Sequence, residues 1–163
     1  MTITQERLRE ICTYDPETGV FSGIIDRGRR YKAGDRFGNI DKKGYLQVTI
    51  DGRCYHLQRL AWLYVYGRMP ENQIDHRNGI TGDNRIENLR IATRSEQNYN
   101  QRRKDGVTGW KNVFKVKATG NYKVVVSAGG IIRVNKTFCN IEDAILAAKK
   151  AREEHHGDFA RHE

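Results

Sequence analysis

The sequence predicts an α+β fold. A β-hairpin and helix occupy the N-terminal region, two short strands followed by a helix the centre, and a three-stranded antiparallel sheet with one packed helix the C-terminal region. Three observations carry this prediction. GYLQVTI, NYKVVVSA and IIRVNKTF alternate apolar and polar residues with the period of half-buried strands. Ile141, Ala144, Ile145, Ala148 and Ala151 recur at the spacing of one helix face. Asp51-Gly52, Gly120-Asn121 and Gly129-Gly130 supply turn chemistry between the strands. With 163 residues, 37% of them hydrophobic, and only 2 prolines, the chain has apolar material for one domain or two small ones, which excludes a wholly disordered polypeptide.

Each element has a local reason. Ile3, Leu8, Ile11 and Cys12 fall on one stripe, so residues 2 to 12 read as a short helix, with Thr2 and Gln5 spaced as a capping box. Residues 20 to 43 are rich in glycine and charge and support only short strands and loops. GYLQVTI turns at Asp51-Gly52 and returns as RCYHL, because a type I′ turn needs two positive-φ residues. HLQRLAWLYVYG is apolar on more than one side and reads as a mostly buried helix stopped by Gly67 and Pro70. Residues 73 to 78 and 88 to 93 read as strands around the loop GITGDNRIE, and Thr93 with Glu96 opens a polar helix running to about Lys104. Beyond the break at Asp105-Gly106, KNVFKVKAT, NYKVVVSA and IIRVNKTF are the three strands, and Asn140 caps a last helix ending near Gly157.

The charge narrows the partners. Lys and Arg number 29 against 20 Asp and Glu, a net charge of +9. Between Asn84 and Lys117 nine basic residues face only three acidic ones, so the field is concentrated mid-chain. A basic field of this kind suits a polyanion. NYNQRRKDG is polar all round and cannot insert into a membrane surface, which leaves nucleic acid as the expected partner. The apolar stretches fall far short of the roughly 20 residues that span a bilayer, and MTITQERLRE lacks an apolar signal core. Cys12, Cys54 and Cys139 are odd in number and widely spaced, so neither a disulfide framework nor a structural zinc knuckle is expected and a cytoplasmic setting is.

The central segment IDHRNGITGDNRIENLRIATRSEQN holds residue types suited to phosphodiester hydrolysis, which requires a base for water, positive charge at the phosphate and groups that hold the backbone. His76, with an unperturbed pKa of about 6.5, can take a proton from water. Asp75 offers a hard oxygen ligand for magnesium or manganese, and Asn98 on the following helix can add a neutral carbonyl oxygen. Neighbours in a regular strand point to opposite faces, so Asp75 and His76 can share one phosphate only if the strand ends or bulges there. Arg77-Asn78-Gly79 makes an ending plausible.

This string, IDH, then NRIENLR, then ATRSEQN, resembles the phage homing type of HNH endonuclease with its ββα-metal motif. The resemblance implies a ββα core over about 73–104, His76 as general base, Asp75 as metal ligand, Asn88 as the asparagine that braces the loop and Asn98 as the helix-borne ligand, with Gln97 and Asn100 as alternatives in the same helix. It implies one divalent ion and double-stranded DNA as substrate. The preceding RLAW also resembles that family, although Gln58 stands where a histidine is usual. His56, two residues upstream, is expected to be a strand-end or helix-start residue satisfied by hydrogen bonds.

The segment from Gly106 to Ala160 resembles the APETALA2-type DNA-binding domain, on the strength of Trp110, the junction from Phe138 to Ala144 and the ending GDFA, with Lys136 replacing a usual glycine. The reading is then a nuclease domain over 1–104 and a DNA-binding domain over 105–163. Arg94, Arg102, Arg103, Lys104, Lys115, Lys117, Lys123 and Arg133 are the candidate DNA contacts, the lysines at 115, 117 and 123 and Arg133 being expected on one sheet face. His155 and His156, adjacent on a helix end, are not read as a metal site. The other class of function that fits is a non-catalytic regulatory or architectural DNA-binding protein with a degenerate site. A monomer and a homodimer are both compatible.

Overall fold

A computed structural model describes residues 2–26, 32–101 and 107–162. It divides into two compact units, Met1–Ala92 and Thr93–Glu163. Both mix helices with small antiparallel sheets, an α+β architecture. No described helix is long and apolar enough to cross a membrane.

In the first unit, helix α1 (Gln5–Ile11) begins at Thr4, whose side chain accepts from Arg7 N. The cap is therefore Thr4 and not Thr2, because Thr4 has the extended backbone that a helix N-cap needs. Cys12 leaves the helix and opens strand β1 (Cys12–Tyr14), which pairs with β2 (Phe21–Gly23). The segment up to residue 43 adds only the two-residue strand β3 (Asn39–Ile40). β3 flanks the hairpin of β4 (Leu46–Ile50) and β5 (Arg53–His56), turned at Asp51 (φ 48°) and Gly52 (φ 77°) as type I′ geometry requires. Leu46, Val48 and Ile50 point inward. Helix α2 (Leu57–Tyr66) stops at Gly67 in the left-handed region (φ 73°). Leu8, Ile11, Phe21, Ile50, Leu57 and Leu60 are each at most 2% exposed and form the centre of this core. Full burial of such a side chain contributes about 1.5–3 kcal/mol. Strands β6 (Gln73–His76) and β7 (Leu89–Ala92) complete the unit, with a 3₁₀ turn at Ile86–Asn88 before β7.

The second unit opens with helix α3 (Arg94–Asn100), whose start carries the full capping box between Thr93 and Glu96. Its last turn closes at Gln101; the expected continuation through Arg102, Arg103 and Lys104 lies outside the described residues. Strands β8 (Val113–Lys115), β9 (Tyr122–Ala128) and β10 (Ile131–Phe138) form a sheet in the order β10-β9-β8. Helix α4 (Ile141–His156) lays Ala144, Ala148 and Ala151 on Val113, Val124 and Val126, small side chains that let helix and sheet approach closely. Asn140 caps α4 by accepting from Glu142 N.

The register corrects one expectation. Lys115 pairs with Tyr122 and therefore shares the pleat parity of Val113 and Val124. Lys123 pairs with Phe114 and points to the other face. β8 ends at Lys115, so Lys117 sits in the following turn, and Arg133 lies at the bulge between Ile132 and Val134. The four cations do not line one strand face, because β8 is three residues long and its alternation opposes that of Lys123.

Candidate active site

Asp75 and His76 are the last two residues of β6, which stays regular up to its end. Arg77 N then donates to Asn88 O and Gly79 N to His76 O, so the chain turns immediately after the histidine. The two side chains take different partners. Asp75 Oδ2 accepts from Arg90 Nε and NH2, each at 2.8 Å, across the strand pair. His76 Nε2 lies 3.0 Å from Asn84 Oδ1. Asp75, His76, Asn84, Asn88 and Arg90 are all buried, with His76 only 3% exposed.

A polar loop with this many buried groups is stable only if they are paired. Asn88 does much of the pairing: its Oδ1 accepts from Asn78 N at 3.0 Å, and its Nδ2 donates to Asn78 Oδ1 and Asp83 O. Asn78 Nδ2 donates to Asp83 Oδ2 at 2.7 Å. The side-chain hydrogen bond from Arg85 holds the Asp83 carboxyl at about 2, well below the usual carboxylate range. Tyr14 OH donates to Asn84 O, and Gly19 lies so near Asn84 and Arg85 that a Cβ there would meet their backbone at 2.4–2.5 Å. The loop that bears Asn84 is thus fixed from the N-terminal side of the unit.

This geometry sets the state of His76. Burial lowers its proton affinity below the ordinary value; the bond to Asn84 and the charges of Asp75 and Asp83 oppose that shift without cancelling it. His76 Nε2 and Asn84 Oδ1 face each other at hydrogen-bond distance, a geometry in which an imidazole protonated at Nε2 donates to the amide oxygen. A neutral imidazole held by a side-chain amide is suited to general-base work. Tyr45 stands beside it, with ring centroids 6.0 Å apart.

Asn84 and Arg90 are the residues that sequence reasoning left out. Asn84 stands in the loop GITGDNRIE between the two expected strands, and Arg90 is one of the nine basic residues between Asn84 and Lys117. Arg90 lies directly across from Asp75, a counter-ion that only the β6–β7 register brings into place. No sequence pattern marks Asn84 as the histidine's partner, because the contact depends on the path of an eight-residue connection. His56 stands where expected, at the end of β5 and the start of α2, but without the expected hydrogen bonds: it makes no side-chain cap bond, and its Nδ1 is buried with no hydrogen-bond partner among the described residues. An imidazole can cap only if a ring nitrogen faces the first-turn N–H groups, and here the ring packs edge-on to Tyr45 at 5.5 Å instead.

Asn98 is exposed on α3 in the second unit, Gln97 is partly buried and Asn100 buried. Arg94 is exposed at the start of the same helix. Among the described residues no group of three His, Cys, Asp or Glu side chains is placed to hold a metal ion. The oxygen donors that are present still fit a magnesium-type ion, which is commonly held by one or two carboxylates plus water and phosphate oxygens.

α3 has its own anchorage. Tyr99 stacks on His156 with centroids 4.0 Å apart and planes 3° from parallel, and its hydroxyl accepts from Gly129 N. Lys111 Nζ donates to Tyr99 O and Gln101 O at the helix C-terminus. Arg152, 2% exposed, donates to Lys111 O.

No curated protein and no solved structure matched the chain. Residues 55–99 match a family model described as HNH endonuclease, a segment that runs from β5 through α2 and the β6–β7 pair to Tyr99 of α3.

Proposed function

We propose that the chain is a divalent-metal-dependent HNH endonuclease that nicks or cleaves double-stranded DNA, with the character of a site-preferring homing enzyme. The observation that carries this reading is His76: a buried, neutral-leaning imidazole fixed through Nε2 at a strand end, inside the segment that matches the nuclease family. In the reaction, the His76 imidazole takes a proton from water as the water oxygen bonds to phosphorus, the leaving oxygen is protonated by a solvent water, and the imidazolium returns its proton to solvent. One P–O ester bond breaks, leaving a phosphate monoester end and a hydroxyl end. Asn84 holds the imidazole orientation, Asn88 holds the loop, and Arg90 keeps the Asp75 carboxylate in place. Asp75 and the helix-borne Asn98 would hold the ion. When bound, magnesium or manganese supplies positive charge against the charge that builds on the phosphate.

We assign the nuclease function to residues 1–104 and DNA reading to 105–163, in the manner of an APETALA2-type module. The contacts are Arg94, Arg102, Arg103, Lys104, Lys115, Lys117, Lys123 and Arg133, the protein acting as a monomer or homodimer in a cytoplasmic setting. Lys123 and Phe114 lie on the sheet face turned away from α4. Supercoiled plasmid incubated with the protein and magnesium should convert to nicked or linear form, and excess chelator should stop it. Duplex binding without any conversion in magnesium or manganese would leave a DNA-binding protein with a degenerate site.

A further inference from the structure

Beside His76, the first unit holds a groove of about 600 Å³ lined by Lys42, Lys43, Tyr45, Gln47 and His56, with Ile40 and Asp41 at its edge. We propose that this groove is a phosphate subsite: it receives the DNA backbone next to the phosphodiester presented to His76. The proposal rests on the nuclease reading above and adds residues to it.

Five observations support it. The groove is built into the fold: Asp41 Oδ1 accepts from Lys43 N at 2.7 Å and Tyr45 N at 2.9 Å, which ties the only carboxylate of the lining to the backbone of the turn. Lys42 and Lys43 stay exposed on that turn. The turn is joined to the loop that carries the site, because Thr81 Oγ1 donates to Gly44 O at 2.9 Å, and a Cβ at Gly44 would sit 2.8 Å from that hydroxyl. Tyr45 forms a common wall, its ring 5.5 Å from His56 and 6.0 Å from His76. Finally, His56 lines the groove with a buried ring nitrogen that no described residue satisfies, whereas buried polar groups are as a rule bonded. Two exposed ammonium groups, an imidazole with one buried nitrogen that lacks a hydrogen bond, and a volume within the ordinary range of ligand sites suit a phosphodiester with its sugar.

The experiment measures binding of a fluorescent duplex in chelator, where no turnover occurs, as a function of salt. The full chain is compared with Lys42→Gln/Lys43→Gln, with His56→Phe, and with Lys149→Gln/Lys150→Gln on the exposed side of α4. Two lost phosphate contacts should flatten the plot of log affinity against log salt by about 1.8 units in the Lys42/Lys43 variant. His56→Phe, which keeps the ring against Tyr45, should weaken binding roughly tenfold. The Lys149/Lys150 variant should keep the wild-type slope. A wild-type slope in the Lys42/Lys43 variant, or equal flattening in both lysine pairs, overturns the subsite. Because binding is read without cleavage, a wild-type protein that never nicks DNA would sink the nuclease reading alone, and a flattened slope would still uphold the groove.

Discussion

Each unit buries a polar cluster, and the two are wired differently. Around β6 and β7, charge meets charge and amide meets amide: Asp75 with Arg90, His76 with Asn84, Asn88 with Asn78. Around α3 and α4, the buried Arg152 and His156 and the half-buried Lys111 bond mostly to main-chain carbonyls, and His156 also stacks on the Tyr99 ring. The first cluster pairs side chain with side chain across β6, β7 and the loop between them. The second clamps a helix end with cations, where the carbonyl end of a helix favours positive charge. Burial lowers the proton affinity of His76 and of His156 alike, yet only His76 is gripped by a neutral side-chain amide within a loop otherwise stitched by asparagines. Desolvation by itself therefore does not distinguish a candidate base from a structural histidine; the partners do.

Removing the proposed base should have the largest effect. His76→Ala is expected to reduce plasmid nicking by about 10² to 10⁴-fold while duplex affinity stays within a few-fold, since general-base catalysis acts on rate and little on binding. The same loss in His156→Ala would erase the contrast between the clusters. Next comes the ion pair. Arg90→Leu leaves a buried Asp75 without its counter-charge, and the loss of one partner from such a pair costs about 3–5 kcal/mol. Urea denaturation should show this as a lower midpoint at unchanged slope. A destabilisation below about 1 kcal/mol would mean that the pair is as weak as a surface bridge.

The smallest effect is the pH dependence of the second cluster. Burial, then the nearby Arg152 and Arg161, lower Lys111 to about 8, and burial first lowers His156 as well. A basic group whose folded value is depressed binds protons more readily when unfolded. Its contribution to stability is therefore present above the unfolded value and is lost as pH falls toward the folded one. Stability should accordingly decline between about pH 10.4 and 8 through Lys111, and again below about 6.5 through His156. His156→Phe keeps a ring against Tyr99 and should shrink the acid-side decline, leaving the share that the likewise depressed His76 and His162 carry, as followed by thermal melting across pH. An unchanged acid limb in that variant would assign the decline to other groups.

Local patterns explain which parts of this fold the sequence could specify. The type I′ turn at Asp51-Gly52, the capping box at Thr93 and Glu96, the stop at Gly67 and the alanine stripe of α4 all depend on neighbours within a few residues, so their chemistry stands in the text of the chain. The motif IDH with NRIENLR was legible for the same reason, and residues 55–99 match the nuclease family. What lay beyond reach was every contact between distant segments. α1 starts at Thr4 because its cap geometry, and not its composition, selects the site. Lys115 and Lys123 point to opposite faces because of a register that a pattern of alternation within each strand leaves open. Asn84 meets His76, Arg90 meets Asp75, and Tyr99 meets His156 only once chains 8, 15 and 57 positions apart have been brought together. Sequence by itself determined the elements and the residue types able to do the chemistry, since propensity, periodicity and capping are local. Tertiary structure alone decided their partners and burial, and with these the protonation of His76, because desolvation and hydrogen bonding are properties of the packed interior.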